Sequence, residues 1–308
     1  MLRVSAILLA LGLSAPAALA DDFDTYAQAC KQAVGDLPPI SCADGVPVPI
    51  TVDGHTPSSY SKDMTCDRPG LLANGDTSDG QCVPYSRILN LSNDTMQVSV
   101  MCRQKTIRDE TSSTYDEIDV IAHNPQTGAT CWFMAKDEEA GGVSGENVPS
   151  PTEGQADFWA DLSDVLEEGC GNCHDNDPFM YSPFVGQVLD HVPSNPLGPY
   201  YHVEAGSGFS GWPLSHFDLP DNTCTGCHRI GVNETCNELA RFMTGKTTPP
   251  GSDAFASAFP GNTTMPPLHG LSQEQWDATY GASLDQVLKC CGAPDDASCR
   301  VTPIFGSQ

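Results

Sequence analysis

The chain has 308 residues, with 40 acidic side chains against 14 lysines and arginines and a formal net charge of −26. So acidic a surface repels phosphate backbones and anionic headgroups, which excludes nucleic acid and acidic membranes as natural partners and favours a basic one. With 28 glycines, 25 prolines and 14 cysteines, the composition points to a loop-rich fold held by cross-links as much as by core.

Met1 to Ala20 has the layout of an export signal. Arg3 gives the charged start, Ile7 to Leu13 the short apolar run, and Ala18-Leu19-Ala20 the small-residue cleavage site. The run is too short to span a bilayer, and no later stretch is apolar enough to do so. The expected product is soluble and periplasmic or extracellular. No cysteine follows the cleavage site, so no lipid anchor is expected there.

Residues 21–147 form the first expected unit. An amphipathic helix is predicted over Phe23 to Val34, then a Pro/Gly/Asp-rich stretch to about Tyr85. Within it, Asn74 to Gly80 has acidic spacing but lacks the closing glutamate of a calcium loop, and is read as a turn. Alternating residues predict strands over Met96 to Met101 and Ile118 to Ala122, a turn at Asn124 to Gly128, and a returning strand over Ala129 to Met134. His55 and His123 are expected as surface or hairpin-edge residues.

Gly141 to Gly154 reads as a linker, so residues 148–308 form the second unit. A helix over Ala156 to Glu168 leads into Cys170-Gly171-Asn172-Cys173-His174. A proline- and glycine-rich segment follows, and then Cys224-Thr225-Gly226-Cys227-His228. Beyond it, helices are predicted over Glu234 to Met243, Ser272 to Tyr280 and Ser283 to Cys291, the last two each opening on a capping box.

Cys-X-X-Cys-His is the attachment signature of c-type haem: both thiols form thioethers to the porphyrin vinyls and the histidine becomes the proximal iron ligand. Two copies predict two covalently attached haems, at Cys170, Cys173 and His174 and at Cys224, Cys227 and His228. The motifs start 54 residues apart, which places both in one compact domain. The ten other cysteines fall as six before the first motif and four after the second. Those even numbers predict two separate disulfide sets, with Cys290 and Cys291 bonded to distant partners such as Cys236 or Cys299. Their spacing lacks the tight pairs of a zinc site. From Lys136 to Arg229 there is no intervening lysine or arginine, so a negative field surrounds the first motif. Arg229, next to a proximal histidine, is placed to pair with a haem propionate.

After His228, the order haem motif, helix, Met265-Pro266-Pro267 and terminal helix resembles class I cytochrome c over roughly Cys224 to Cys291. That resemblance implies Met265 as the distal ligand of the second iron, with His269 its rival. For the first iron the choice stays open between His202, His191 and, less favoured, His216, while Met180 sits close in chain to His174. The two motifs, with Asp177-Pro178-Phe179 and Ser182-Pro183-Phe184 between them and the Thr127 to Cys131 hairpin before them, resemble exported multi-haem cytochromes of proteobacteria. Bacterial di-haem peroxidases also carry two motifs, but much further apart and each in its own domain.

The expected fold is α+β, a disulfide-rich N-terminal antiparallel β unit followed by a small, mostly α-helical, loop-rich di-haem domain. The expected function is relay of single electrons to a redox protein with a basic docking face. Two rivals remain: a peroxidase-like enzyme with one open distal site, and a structural or binding subunit of an extracellular electron-transfer assembly.

Overall fold

Residues 22–61, 64–70, 82–137, 139–155, 157–189, 195–248, 251, 265 and 270–304 are described by the structure, a computed structural model. The expected export signal, the Asn74 to Gly80 turn, His191 and His269 lie outside them. The fold is mixed α+β, with a mostly antiparallel sheet and five disulfides. Among the described residues no helix is long and apolar enough to cross a membrane.

The helix α1 (Asp22–Val34) opens the chain. The main sheet contains β1 (Val46–Pro47), β2 (Arg87–Asn90), β3 (Gln97–Arg103), β5 (Glu117–His123), β6 (Ala129–Lys136) and β8 (Tyr201–His202), in that spatial order. Two residues each of β4 (Thr114–Tyr115) and β7 (Val143–Ser144) pair separately. All main-sheet neighbours are antiparallel except β6 and β8. The alternation read from the sequence is the physical basis of β3 and β5, since side chains along a strand point to opposite faces.

One face carries Val98, Val100 and Cys102 from β3, Ile118, Val120 and Ala122 from β5, and Cys131, Phe133 and Ala135 from β6, all buried. α1 covers it. Phe23 and Tyr26 pack on Phe133 at ring separations of 6.1 and 5.5 Å. Each such fully buried side chain contributes about 1.5–3 kcal/mol. Cys30–Cys131 ties the helix to β6, and Cys42–Cys102 ties the following loop to β3.

The edge of β6 is closed piecewise, because β8 accompanies it for only two residues. The Thr130 carbonyl accepts from Val203 N at 2.9 Å, the Tyr26 hydroxyl oxygen accepts from Trp132 N at 2.9 Å, and the Met134 carbonyl accepts from Ala160 N at 2.8 Å. These bonds occupy much of the ladder that an edge strand would otherwise leave open to another strand. Residues on both sides of the expected division at 147 and 148 share this core, from Phe23 and Val100 to Trp159, Tyr200, Phe209 and Trp212.

A second cluster forms around Phe217, Leu219, Ile230, Cys236, Val287 and Cys290. It joins β9 (Ser215–Phe217) and β10 (Val301–Pro303), which pair antiparallel, to the long terminal helix. The two cysteine sets pair within themselves: Cys30–Cys131, Cys42–Cys102 and Cys66–Cys82 in one, Cys236–Cys291 and Cys290–Cys299 in the other. The helix over Ala156 to Glu168 is shorter than expected: α2 is Leu162–Glu168, behind a loop in which Ala160 N is taken by Met134. The single turn α3 (Cys170–Cys173) follows, and later a wide π turn, Thr235–Leu239, runs into α4 (Ala240–Met243). The two expected terminal helices are one, α5 (Gln273–Gly292), whose Ser272–Gln275 capping box forms as read. Ser283 does not start a helix, because its hydroxyl and carbonyl are engaged by the loop before the second motif.

Two tests follow from these contacts. Replacing Cys30 and Cys131 together with alanine reopens a connection spanning 101 positions. Its expected cost is about 2–5 kcal/mol, read from guanidinium unfolding of the oxidised proteins. The second concerns Asp116, which accepts a bidentate pair from Arg108 at 2.6 and 2.7 Å and two amides, Lys105 N and Thr106 N. Burial alone would raise its pKa, but Arg108 and the two amides outweigh burial and hold it below the ordinary value. A carboxyl lowered in this way stabilises the fold above its unfolded pKa, and that contribution is lost as pH falls through the folded one. Asp116→Asn is therefore less stable than the parent near neutrality. The gap narrows once pH drops below about 4, as urea unfolding across the acid range will show.

Candidate functional site

The second face of the main sheet is the floor of a cavity of about 440 Å³. Alternate positions line it: Ser99, Met101 and Arg103 from β3, Glu117, Asp119 and Ile121 from β5, and Trp132 and Met134 from β6. Cys170, Cys173 and His174 line the same space, with Phe179, Met180 and Leu189 beyond them. The first motif therefore sits on the sheet of the N-terminal unit.

The cavity has an apolar part and a charged part. Ile121, Trp132, Phe179 and Leu189 make the first; Arg103, Lys105, Glu117, Asp119 and Glu168 make the second. Arg103 pairs with Asp119 at 3.0 Å and Lys105 with Glu117 at 3.0 Å. Burial would raise the Glu117 pKa, but Arg103 and Lys105 outweigh it and hold the carboxyl at about 2. Arg103 Nε is buried 3.4 Å from Glu117 Oε1, an ion-pair contact without hydrogen-bond geometry. Arg103 at the end of β3 and Lys105 just beyond it thus supply cations to a stretch of chain that has none of its own.

α3 presents the first motif against a wall of aromatics. A Cβ on Gly171 would lie 2.4 Å from the Trp212 indole, so only glycine lets this turn approach so closely. Trp132 meets His174 with ring centroids 5.0 Å apart, and the Tyr200 hydroxyl donates to the His174 carbonyl at 2.7 Å. Burial drives the His174 pKa down to about 4 against the carbonyls of Pro178 and Asp177, so the ring is neutral, as a metal-ligating imidazole must be. Its Nδ1 is buried with no hydrogen-bond partner. Burial pushes the Cys170 and Cys173 thiols up to about 12.

His202 sits in β8 beside the same indole, 5.7 Å between centroids, but outside the cavity lining. Trp132 Nε1 donates to its Nδ1 at 2.9 Å. An indole nitrogen only donates, so the neutral ring carries its proton on Nε2. That Nε2 is buried without a partner. In this tautomer His202 has no lone pair for a metal, and it gains one only if the Trp132 bond opens. Met101, Met134, Met180 and Met243 line the cavity itself. Met180 is among them despite its closeness in chain to His174. His123 ends β5 at the hairpin as expected, but is buried there: its Nδ1 meets Thr130 Oγ1 at 2.8 Å and burial lowers its pKa to about 4.

The second motif is held from the terminal helix. Asn222 Oδ1 accepts from Cys224 N at 2.9 Å and Thr225 N at 3.3 Å, a turn that starts the motif. Its Nδ2 donates to the Ser283 carbonyl and Gln286 Oε1, both at 2.8 Å. The Ser283 and Gln286 pair thus anchors the motif. His228 Nδ1 lies 2.7 Å from the Arg229 carbonyl. A carbonyl only accepts, so Nδ1 bears the proton and Nε2 keeps its lone pair. Met265 is described without its neighbours in sequence, and its N donates to the Met243 carbonyl at 3.0 Å. His216 lies in β9, with Nδ1 donating to the Phe217 carbonyl at 3.0 Å.

The two motifs meet at their C-terminal ends. Thr235 Oγ1 lies 2.9 Å from the Cys173 carbonyl, 2.9 Å from Asp175 Oδ1 and 3.2 Å from Asn176 Oδ1. Asp175 is fully buried and also accepts from Asn233 N at 2.7 Å. Burial raises its pKa to about 7 against these hydrogen bonds. Arg229 is drawn inward, donating to the Asn176 carbonyl, Asp177 and the Gly198 carbonyl. The guanidinium expected at a propionate is engaged with protein instead.

All ten cysteines outside the motifs are paired, and the four free ones are Cys170, Cys173, Cys224 and Cys227. Among the described residues no three His, Cys, Asp or Glu converge to hold a bare metal ion. The donors fit a thioether-linked haem in three respects: free thiols for the vinyl groups, a neutral imidazole for the iron, and Trp132, Phe179 and Leu189 for the ring. The cavity cations Arg103 and Lys105 are already paired with Asp119 and Glu117. No family model matches the chain, nor does any curated protein or solved structure.

Sequence reasoning missed Trp132, Tyr200, Asn176 and Asn222. Trp132 was within reach, being in the same alternating register as Met134; the others act through contacts distant in sequence.

The junction yields its own test. A Cβ on Gly231 would fall 1.8 Å from Asp175 Oδ1, which Asn233 and Thr235 hold in place. Gly231→Ala must displace that carboxylate, and the expected loss is about 1–3 kcal/mol. Thermal unfolding measures it; an unchanged midpoint would show that the junction is loose.

Proposed function

We propose that the protein is an exported di-haem c-type cytochrome that relays single electrons. One haem belongs on Cys170 and Cys173 with His174 as proximal ligand, the other on Cys224 and Cys227 with His228. The observation that carries this reading is the partition of the cysteines: ten are paired, and the four left free are those of the two motifs. In an oxidising compartment, adjacent Cys-X-X-Cys thiols persist when another bond is intended for them.

A haem held in this way supplies a one-electron ferric–ferrous couple. The protein's part is to orient His174 through Trp132 and Tyr200, to keep that imidazole neutral, and to surround the ring with apolar walls. Met265 remains the proposed distal ligand of the second iron. For the first, His202 would have to give up its Trp132 hydrogen bond, so the methionines that line the cavity are proposed beside it, with His191 the other histidine candidate. The net charge of −26 suits transient docking to a basic redox partner, since opposite fields steer encounter more than they add affinity.

The test is haem stoichiometry and spin state. Native protein is expected to retain two haems through denaturation. Replacing Cys170 and Cys173 with alanine removes one, and replacing Cys224 and Cys227 removes the other. Ferric spectra should be wholly low-spin, with no carbon monoxide binding to the reduced form at neutral pH. A mass equal to the bare processed chain would falsify the reading, and a high-spin fraction that turns over peroxide would move it to an enzyme.

A further inference from the structure

We infer that Asn176, two residues beyond the first motif, is a positioning residue for His228, the proximal ligand of the second. This rests on the di-haem reading and assigns the two motifs a direct chemical link. The Arg229 carbonyl receives two donors at once, His228 Nδ1 at 2.7 Å and Asn176 Nδ2 at 3.0 Å. The clasp is reciprocal, since Arg229 Nη1 donates back to the Asn176 carbonyl at 3.3 Å. Asn176 is 7% exposed and Arg229 8%, so solvent competes little for these bonds. Asp177 and the Gly198 carbonyl hold the guanidinium, and Thr235 Oγ1 sits 3.2 Å from Asn176 Oδ1. The carbonyl that orients His228 is thus itself fixed by the loop of the other motif.

The electronic consequence has a sign. The partner of a ligand's second ring nitrogen sets how basic that ligand is. A carbonyl accepting from His228 alone would polarise Nδ1–H more strongly, giving the ring more imidazolate character and favouring ferric iron. The second donor, Asn176, draws on the same oxygen and weakens that pull. Asn176 therefore raises the potential of the second haem, although it is bonded next to the first. No doubly engaged carbonyl of this kind is seen at His174, whose ring is acted on instead by the Pro178 and Asp177 carbonyls.

Potentiometric titration of the full-length di-haem protein tests this, with the second haem's wave identified as the one absent from a Cys224→Ala/Cys227→Ala variant. Asn176→Leu removes the donor at similar volume. The expected result is a fall in the potential of the second wave with the first unmoved. An unmoved second wave, or a shift confined to the first, overturns the inference and leaves the di-haem reading intact; a chain without haem overturns both. Should Asn176→Leu fail to mature, the unaltered ferrous protein still decides. A nuclear Overhauser contact between His228 Nδ1–H and an Asn176 amide proton is expected there, and its absence overturns the inference.

Discussion

The register of β3, β5 and β6 is the constraint from which the rest of the structure follows. In a strand the side-chain period is two, so slipping one residue would exchange everything on one face for everything on the other. Two disulfides remove that freedom. Cys131 and Cys102 both belong to the face under α1, and each is bonded to the segment that covers it, through Cys30 and Cys42. With those positions pinned, Arg103, Glu117, Trp132 and Met134 have one direction left, into the cavity. The site is thus oriented by cross-links on the opposite side of the sheet.

The same arrangement settles an electrostatic problem. The chain from Asp137 to His228 contains no lysine or arginine, and a cavity lined by that segment alone would have only carboxylates at its rim. β3 contributes Arg103, and Lys105 follows it, while Lys136 at the end of β6 pairs with Glu168 at 3.1 Å. Glu117 remains charged between its two cations, and the adjoining Asp119 is pushed upward by burial and by the Glu117 charge. Removing one partner from so buried a carboxylate costs more than the pair contributes, because the other charge is left stranded. Arg229 shows the same economy at the motif junction, where Asp177 and backbone carbonyls absorb it.

What was legible in the sequence is what local pattern encodes. β3, β5, β6 and their hairpin follow from alternation and the turn at Asn124 to Gly128, and the split of the cysteines into two sets follows from their placement around the motifs. The stretch from Tyr200 to Val203 is the most strand-like of its segment, but its place in the main sheet was not legible: Tyr201 and His202 pair with Ala129 and Thr130 far upstream. Nor was the function of Ser283 and Gln286. Their spacing is that of a capping box, and only the tertiary contact with Asn222 converts it into an anchor within a continuous helix. Met101 and Ser99 illustrate the limit most clearly. Alternation places them opposite the core, which ordinarily means solvent; here the loop after the first motif closes over them.

The two motifs are alike in sequence and unlike in setting. The first is embedded: His174 is walled by Trp132, and Gly171 lies under Trp212. The second is shallower, with Cys227 exposed and His228 only half-buried. Burial penalises charge, so an embedded site resists gaining a net charge more than a shallow one does. On the di-haem reading, two sites with one sequence signature would differ first in burial and then in the carbonyls that meet their imidazoles. Asp175 to Asp177 and Arg229 to Thr235 bind the ends of both motifs into one junction, which fixes where the two settings lie relative to each other.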